Sequence, residues 1–208
     1  MAAGDTDVSI CNRALLLLGH DSISSFSDGS AAANAVSQLY PETMASTLGM
    51  YPWGFTVKKT QLAQASTTPT SEWDYEYGLP PDMLTGVPRA AYTGASTQAL
   101  FKNWEIGLAN DGQAKLFTNA TAIYIDYQAV VAENAFPHYF VQLLTYQMAW
   151  MLAEVITDQI TKAVHWHQIA LGAPSENGRG GFFRQAAHID GAGRPSVAIA
   201  EYALTDVR

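Results

Sequence analysis

The N-terminal part of the chain carries apolar positions at helical spacing and predicts two helices. A polar stretch precedes the apolar run 8–18 and Gly19 follows it, which is the pattern of a capped amphipathic helix with a glycine stop. Ser30 is placed to cap a second helix, whose apolar residues recur up to Gly49. Pro41 lies inside this second pattern, so we expect the helix to be kinked or split there.

The pattern changes to short runs in the middle of the chain. Gly, Pro, Thr and Asn separate aromatic or β-branched runs there, as is typical of strands and turns. In the clearest run, Ile123, Ile125 and Tyr127 alternate with Tyr124 and Asp126. The predicted strands are 56–62, 74–79, 83–87, 99–104, 114–117 and 122–127.

A third helix is predicted to open at Pro137, with Asn134 as its cap, and to run to about Ile156. Its apolar residues fall on nearly every face, so it should be buried all round. Such a helix is either the central rod of a bundle or partly covered by a neighbouring subunit. The residues predicted to serve as core or inter-subunit contacts are Phe140, Leu144, Met148 and Met151.

Two further helices are predicted after this long one. Thr157 or Asp158 is placed to cap a fourth helix, which Gly172 ends. A glycine-rich stretch, 175–181, then precedes a short helix that reaches Ala187.

Composition narrows the class of protein. With 208 residues, of which 48% are hydrophobic, the chain is expected to form one domain with an inserted subdomain. The net charge is −8 with 11 Lys and Arg, which argues against a protein that grips nucleic acid. The single cysteine, Cys11, excludes an intrachain disulfide.

Neither a signal peptide nor a membrane span is predicted. The first residues lack a basic start followed by an apolar stretch, so we expect synthesis in the cytoplasm. Gln142, Gln147 and Glu154 interrupt the longest apolar region, which makes it a poor candidate for a membrane span.

The sequence contains few patterns that indicate catalysis or metal binding. His165 and His167 would point about 200° apart on a helix and could not share a metal ion. The common nucleophile, phosphate-loop and zinc-hydrolase motifs are not present in the sequence. No catalytic residue, metal site or cofactor is predicted.

Two aromatic clusters invite a functional interpretation. In Trp73-Asp74-Tyr75-Glu76-Tyr77, two carboxylates among aromatics resemble a glycosidase pair, but on a strand Asp74 and Glu76 share one face and cannot oppose each other across a glycosidic bond. The segment 51–55, of sequence YPWGF, could line one side of a ligand site, but we favour a role in packing the helices against the sheet.

Several segments, in this order, resemble the tail tubular protein A family of short-tailed bacteriophages. They are 12–19 (NRALLLLG), 23–25 (ISS), 39–41 (LYP), 51–55 (YPWGF), 75–84 (YEYGLPPDML) and 123–127 (IYIDY), and the resemblance covers roughly residues 6–170. The chain departs from the family pattern at 172–181, where a loop interrupts a helix, and at 89–113, which match nothing specific.

The resemblance implies an α+β fold and a structural role in the virion. A helical bundle formed by the N-terminal helices (1–55) and the C-terminal helices (134–190) would carry a small inserted antiparallel β subdomain (56–133), and 191–208 would be an extended docking arm. The family forms a ring, twelvefold in its members, beneath the portal protein. It receives the tail nozzle protein on its other side and lets DNA pass without specific binding.

Two sets of residues are assigned to this role. Carboxylates repel phosphate and suit a channel along which DNA slides, so we expect some of Asp74, Glu76, Asp111, Asp126 and Glu133 to line the channel. The apolar residues of the C-terminal arm suit a groove or an added strand on the portal. These are Val197, Ile199, Tyr202 and Leu204.

Two other functions stay open. A virion-associated carbohydrate-active enzyme would use Asp74 or Glu76, and changing either to Ala would abolish activity without loss of ring formation. A transient assembly chaperone would bind a partner as a monomer and would be absent from mature particles.

Overall fold

A computed structural model describes residues 5–95 and 99–193. Within them, two helices precede six strands and three helices follow. The elements are α1 Asp7–Leu18, α2 Ala31–Gly49, β1 Val57–Gln61, β2 Tyr75–Gly78, β3 Ala90–Tyr92, β4 Trp104–Leu108, β5 Ala114–Thr118, β6 Tyr124–Gln128, α3 His138–Thr157, α4 Ile160–Leu171 and α5 Gly181–Ala192. The predicted α+β class is confirmed.

The first two helices begin where the sequence predicts. The Thr6 hydroxyl accepts the Ser9 backbone N–H at the start of α1, and Gly19 ends this helix with a φ of 77°. The Ser30 hydroxyl caps α2 in the same way. Pro41 lies inside a continuous helix, so the alternative of two separate helices is wrong. The buried Tyr40 and Thr43 hold the turns on either side of the proline in place by packing.

The caps of the later helices differ from those predicted. Pro137, not Asn134, is the N-cap of α3, because Phe136 must be extended before a proline and this separates Asn134 from the helix. Thr157 continues α3 and Asp158 ends it in a left-handed conformation, which leaves Gln159 as the N-cap of α4. The predicted capping of α4 by Thr157 or Asp158 is therefore wrong. Gly172 ends α4 as predicted, and α5 is longer than predicted.

The long helix α3 is the centre of the bundle. It packs against α1, α2, α4 and α5. Its buried side chains include Phe140, Leu143, Leu144, Met148 and Leu152, which form one core with residues of α1 and α2. The helix is therefore apolar on most faces because other helices cover most faces.

The six strands form two small antiparallel sheets, ordered β1-β6-β3 and β2-β5-β4. Backbone hydrogen bonds between Ala63 and Gly78 and between Ala65 and Glu76 link the end of β1 to β2 and so connect the sheets. A second core lies between them. Its largest buried side chains are Leu62, Tyr77, Leu116, Ile123, Ile125 and Tyr127.

Two of the predicted strands are wrong. Residues 83–87 form an isolated bridge at Met83 and then turn through Gly86, whose φ is 68°. The strand predicted at 99–104 instead begins at Trp104, and β3 at 90–92 was not predicted at all. Contacts between neighbouring strands decide where β3 and β4 lie. Ala91 of β3 lies opposite Ile125 of β6, and Gly107 of β4 lies under the Phe117 ring, where a Cβ would come within 3.1 Å of a ring carbon.

Polar contacts tie the sheets to the bundle. The Gln128 side-chain amide at the end of β6 donates to the Tyr51 carbonyl oxygen at 2.9 Å. The Asp190 carboxylate on α5 accepts the Gly54 backbone N–H, also at 2.9 Å, and the Tyr139 hydroxyl at 2.7 Å. The turn between α2 and β1 is thereby held by the end of β6 and by α5.

Candidate assembly surfaces

The α3 residues predicted as core or inter-subunit contacts lie mostly inside the subunit. Phe140, Leu144 and Met148 are fully buried in the bundle, and Met151 is partly exposed. Three of the four therefore stabilise the subunit itself. An interface on this helix must use Met151 and the partly exposed residues next to it.

Trp150 forms a ridge between two clefts on the outer side of α3. The cleft between α2 and α3, about 170 Å³, is lined by Glu42, Thr43, Ser46, Gln147, Trp150 and Met151. The cleft between α3 and α4, about 310 Å³, is lined by Trp150, Ile160, Ala163, Val164 and His167 among others. We call them the α2/α3 cleft and the α3/α4 cleft.

Sequence reasoning missed several exposed apolar side chains, three of them near these clefts and one on α1. Val155, Ile160 and Val164 are each more than half exposed, and Leu16 on α1 is 75% exposed. A helical wheel of α1 would have revealed Leu16, because the buried Ile10, Ala14 and Leu18 lie on the opposite side of that helix. The other three needed knowledge of which faces α3 and α4 bury.

The carboxylates predicted for the channel have different environments. Asp74 and Asp111 are exposed, whereas Glu76, on β2 of the second sheet, is buried and does not offer a free charge to solvent. Asp126 accepts the Tyr92 hydroxyl and pairs with Lys59 at 3.2 Å, and Glu133 accepts the Tyr40 hydroxyl at 3.2 Å. Both Asp74 and Asp111 have the outward position that the channel hypothesis needs, and of these two only Asp74 makes no salt bridge among the described residues.

Glu76, Lys115 and Asp111 form an ion-pair network. The Lys115 ammonium lies 2.8 Å from Glu76 and 2.7 Å from Asp111. The hydrogen bond from Lys115, followed by that from the Thr67 hydroxyl, holds the pKa of Glu76 below its usual value. Hydrogen bonds to Asp111 and Glu76, in that order of size, raise the pKa of Lys115. The network keeps all three groups charged.

The geometry argues against the proposed pair Asp74 and Glu76 as glycosidase residues. A cleft of about 240 Å³ is lined by Glu72, Trp73, Glu76 and Glu105, but Asp74 is not among its lining residues. The Trp73 indole donates to Glu105 at 3.3 Å. Glycoside hydrolysis needs one carboxyl group whose pKa is raised so that it can donate a proton. The lowered pKa of Glu76 is the reverse of that requirement.

The segment 51–55 is a packing element, but its tryptophan packs between helices and not between the helices and a sheet. Trp53 is fully buried, and its ring lies 5.3 Å from that of Phe140 and 6.1 Å from that of Phe183. The indole N–H donates to the Thr47 carbonyl oxygen at 3.0 Å. This cluster joins α2, α3 and α5 and leaves no room for a ligand at the ring of Trp53.

Other predicted features have simple environments. Burial raises the pKa of the Cys11 thiol to about 12, and His167 makes an edge contact with Trp150.

Among residues 5–95 and 99–193, no cluster of three or more His, Cys, Asp or Glu side chains could bind a metal ion, and no helix is long and apolar enough to cross a membrane. The predicted docking residues Val197, Ile199, Tyr202 and Leu204 lie outside the described residues.

No protein-family model matches the chain, and no curated protein matches it significantly.

Proposed function

We propose that this chain is a head-to-tail adaptor of a short-tailed bacteriophage, which assembles as a ring beneath the portal protein. The observation that carries the proposal is the order of its parts. Helices from both ends of the chain form one bundle, and the strands between them form a separate small core. This is the arrangement that the resemblance to the tail tubular protein A family implies.

The surface supports a role in assembly more than one in chemistry. The exposed apolar side chains around Trp150 and on α1 are of the kind that marks protein interfaces. A ring of twelve copies, with the portal above and the tail nozzle below, would cover these side chains. We assign the docking arm on the portal to the C-terminal residues 195–208.

The charge of the chain suits a passage for DNA. A net charge of −8 leaves few positive side chains to hold phosphates, and Asp74 and Asp111 are exposed carboxylates at opposite ends of the second sheet. Carboxylates along the channel would repel phosphates and let DNA slide. We propose that these two side chains, rather than the buried Glu76, face the channel.

Electron cryomicroscopy of the parent particle tests the proposal. A closed ring of copies directly below the portal is the expected result, with Asp74 and Asp111 towards the channel. Particles that lack the chain would contradict the adaptor function, and its presence only during assembly would favour the chaperone.

The enzyme alternative has its own test. Polysaccharide hydrolysis by the purified chain that is lost in Glu76→Gln, but retained in Asp21→Asn, a variant at an exposed site outside the ion-pair network, would favour it. Equal activity in both variants, or none in the wild type, would remove it.

A further inference from the structure

We infer that helix α1 of one copy docks across Trp150 of a second copy, with Arg13 in the α2/α3 cleft and Leu16 in the α3/α4 cleft. This inference rests on the proposed function only in assuming that the chain assembles with itself. It specifies which two surfaces meet.

The donor surface is the outer face of α1. The helix buries Ile10, Ala14 and Leu18 in the core, and Leu16 projects from the opposite side with 75% of its surface exposed. Arg13 lies one helical turn before Leu16, so the two side chains are neighbours on the same face. Arg13 pairs with Asp5, but its side chain is 50% exposed and that of Asp5 only 8%, so the guanidinium is the outward charge.

The α2/α3 cleft has the chemistry that binds a guanidinium group. The Thr43 hydroxyl is buried and has no hydrogen-bond partner among the described residues. Glu42 is exposed beside it and makes no salt bridge in the part of the chain that the structure describes. A guanidinium in this cleft would donate to both, and its flat face would lie against the Trp150 ring.

The α3/α4 cleft suits a leucine. Ile160, Ala163 and Val164 line one wall and Trp150 forms the ridge that separates this cleft from its neighbour. Its volume of about 310 Å³ leaves space for an aliphatic side chain together with part of its helix backbone. The α2/α3 cleft thus offers Glu42 and the Thr43 hydroxyl to Arg13. The α3/α4 cleft offers aliphatic side chains to Leu16, one turn further along α1, and is also lined by Glu154, His167 and Gln168. Tryptophan and arginine are also the residues that most often dominate binding energy at interfaces.

The two surfaces are formed by different helices of the subunit. No α1 residue lines either cleft, although α1 also packs against α3. A copy therefore cannot fill its own clefts with its own α1, and two copies joined this way still present one free α1 and one free pair of clefts. Such a head-to-tail contact generates a ring when the rotation closes and a filament when it does not.

Sedimentation velocity of two variants of the full chain, alone and mixed, tests the contact. Leu16→Asp disrupts the donor face, which is the outer face of α1. Val164→Asp disrupts the receiving face, which is the pair of clefts beside Trp150. Each places a carboxylate in an apolar contact, so we expect each variant alone to associate at least about 100-fold more weakly than the wild type. An equimolar mixture retains one good donor face and one good receiving face, and should form a dimer and nothing larger.

Leu108→Asp on β4 is the matched control. Leu108 is 75% exposed, as Leu16 is, but lies on the second sheet. We expect this variant to assemble like the wild type. Far-UV circular dichroism and thermal melting of all the variants check that the fold is kept.

Charge reversal tests the second half of the contact. Glu42→Arg is expected to weaken association about tenfold, and adding Arg13→Glu in the same chain is expected to restore it.

The inference is overturned if the mixture of Leu16→Asp and Val164→Asp stays monomeric, if either variant associates like the wild type, or if the wild type is monomeric at about 1 mM. Failure of the proposed function is recognised separately. Wild-type chains that join through this contact but form open filaments, and are absent from the portal vertex of the particle, would refute the adaptor and leave the contact standing.

Discussion

Replacing Trp53 with alanine should remove much of the stability of the helical bundle. The side chain is fully buried and contacts aromatic rings on α3 and α5, including Phe140 at 5.3 Å and Phe183 at 6.1 Å between ring centres. Truncating a buried tryptophan to alanine costs about 3–5 kcal/mol, because the contacts are lost and a cavity remains. The Thr47 carbonyl also loses its indole donor, which adds about 1 kcal/mol.

The expected loss is therefore about 4–6 kcal/mol of the free energy of unfolding. For a chain of this length it corresponds to a fall in melting temperature of roughly 8–24 °C. Trp53→Phe keeps a ring in the cluster but removes the N–H donor, so we expect a smaller loss of about 2 kcal/mol. Urea denaturation followed by far-UV circular dichroism measures both variants.

Trp73→Ala is the control, because Trp73 is partly exposed on the β side of the molecule and its indole makes only a 3.3 Å bond to Glu105. Its loss should stay near 1 kcal/mol. A loss below about 1.5 kcal/mol for Trp53→Ala, or one no larger than that of Trp73→Ala, would refute the argument that this cluster holds the bundle together.

Three further predictions concern Glu76, Thr6 and Cys11. The pKa of Glu76 is lowered in the folded state, so the stability it contributes is present above its usual pKa of 4.5 and is lost as the pH falls through the folded value. Unfolding measured between about pH 6 and pH 3 should show a weaker pH dependence for Glu76→Gln than for the wild type. Thr6→Ala removes the hydroxyl that accepts the Ser9 N–H and should cost about 1 kcal/mol, seen as a fall in melting temperature of about 2–4 °C. The buried Cys11 thiol, with a pKa raised to about 12, should react with iodoacetamide at pH 8 only as fast as the protein opens, whereas urea-unfolded chains react at once.

Each of these has a contrary outcome. Parallel pH curves for the wild type and Glu76→Gln would mean that the pair with Lys115 does not stabilise the fold. An unchanged melting temperature for Thr6→Ala would mean that the cap is made by water as well as by the hydroxyl. Native-state alkylation of Cys11 at the rate of a free thiol would show that α1 is not packed as described.

Local signals along the chain were enough to predict most of the helices. Thr6, Gly19, Ser30 and Gly172 act on backbone groups within a few residues of themselves, so their effect can be deduced without knowing the rest of the structure. The same holds for the alternation in β6. The errors at Pro41 and Asn134 arise where packing or a neighbouring proline outweighs the local preference.

Which side chains pair, form clefts or face outward depended on the tertiary structure. Glu76 was one of the candidates for lining the channel, but Lys115, 39 residues away, pairs with it once β2 and β5 lie side by side. The clefts beside Trp150 require α2, α3 and α4 to come together, and no local pattern contains that information. The caps of α1 and α2 and the amphipathic face of α1 are properties of short segments, and the sequence by itself determined them. Ion pairs, clefts and outward-facing side chains are properties of distant segments in contact, so only the folded chain decided them.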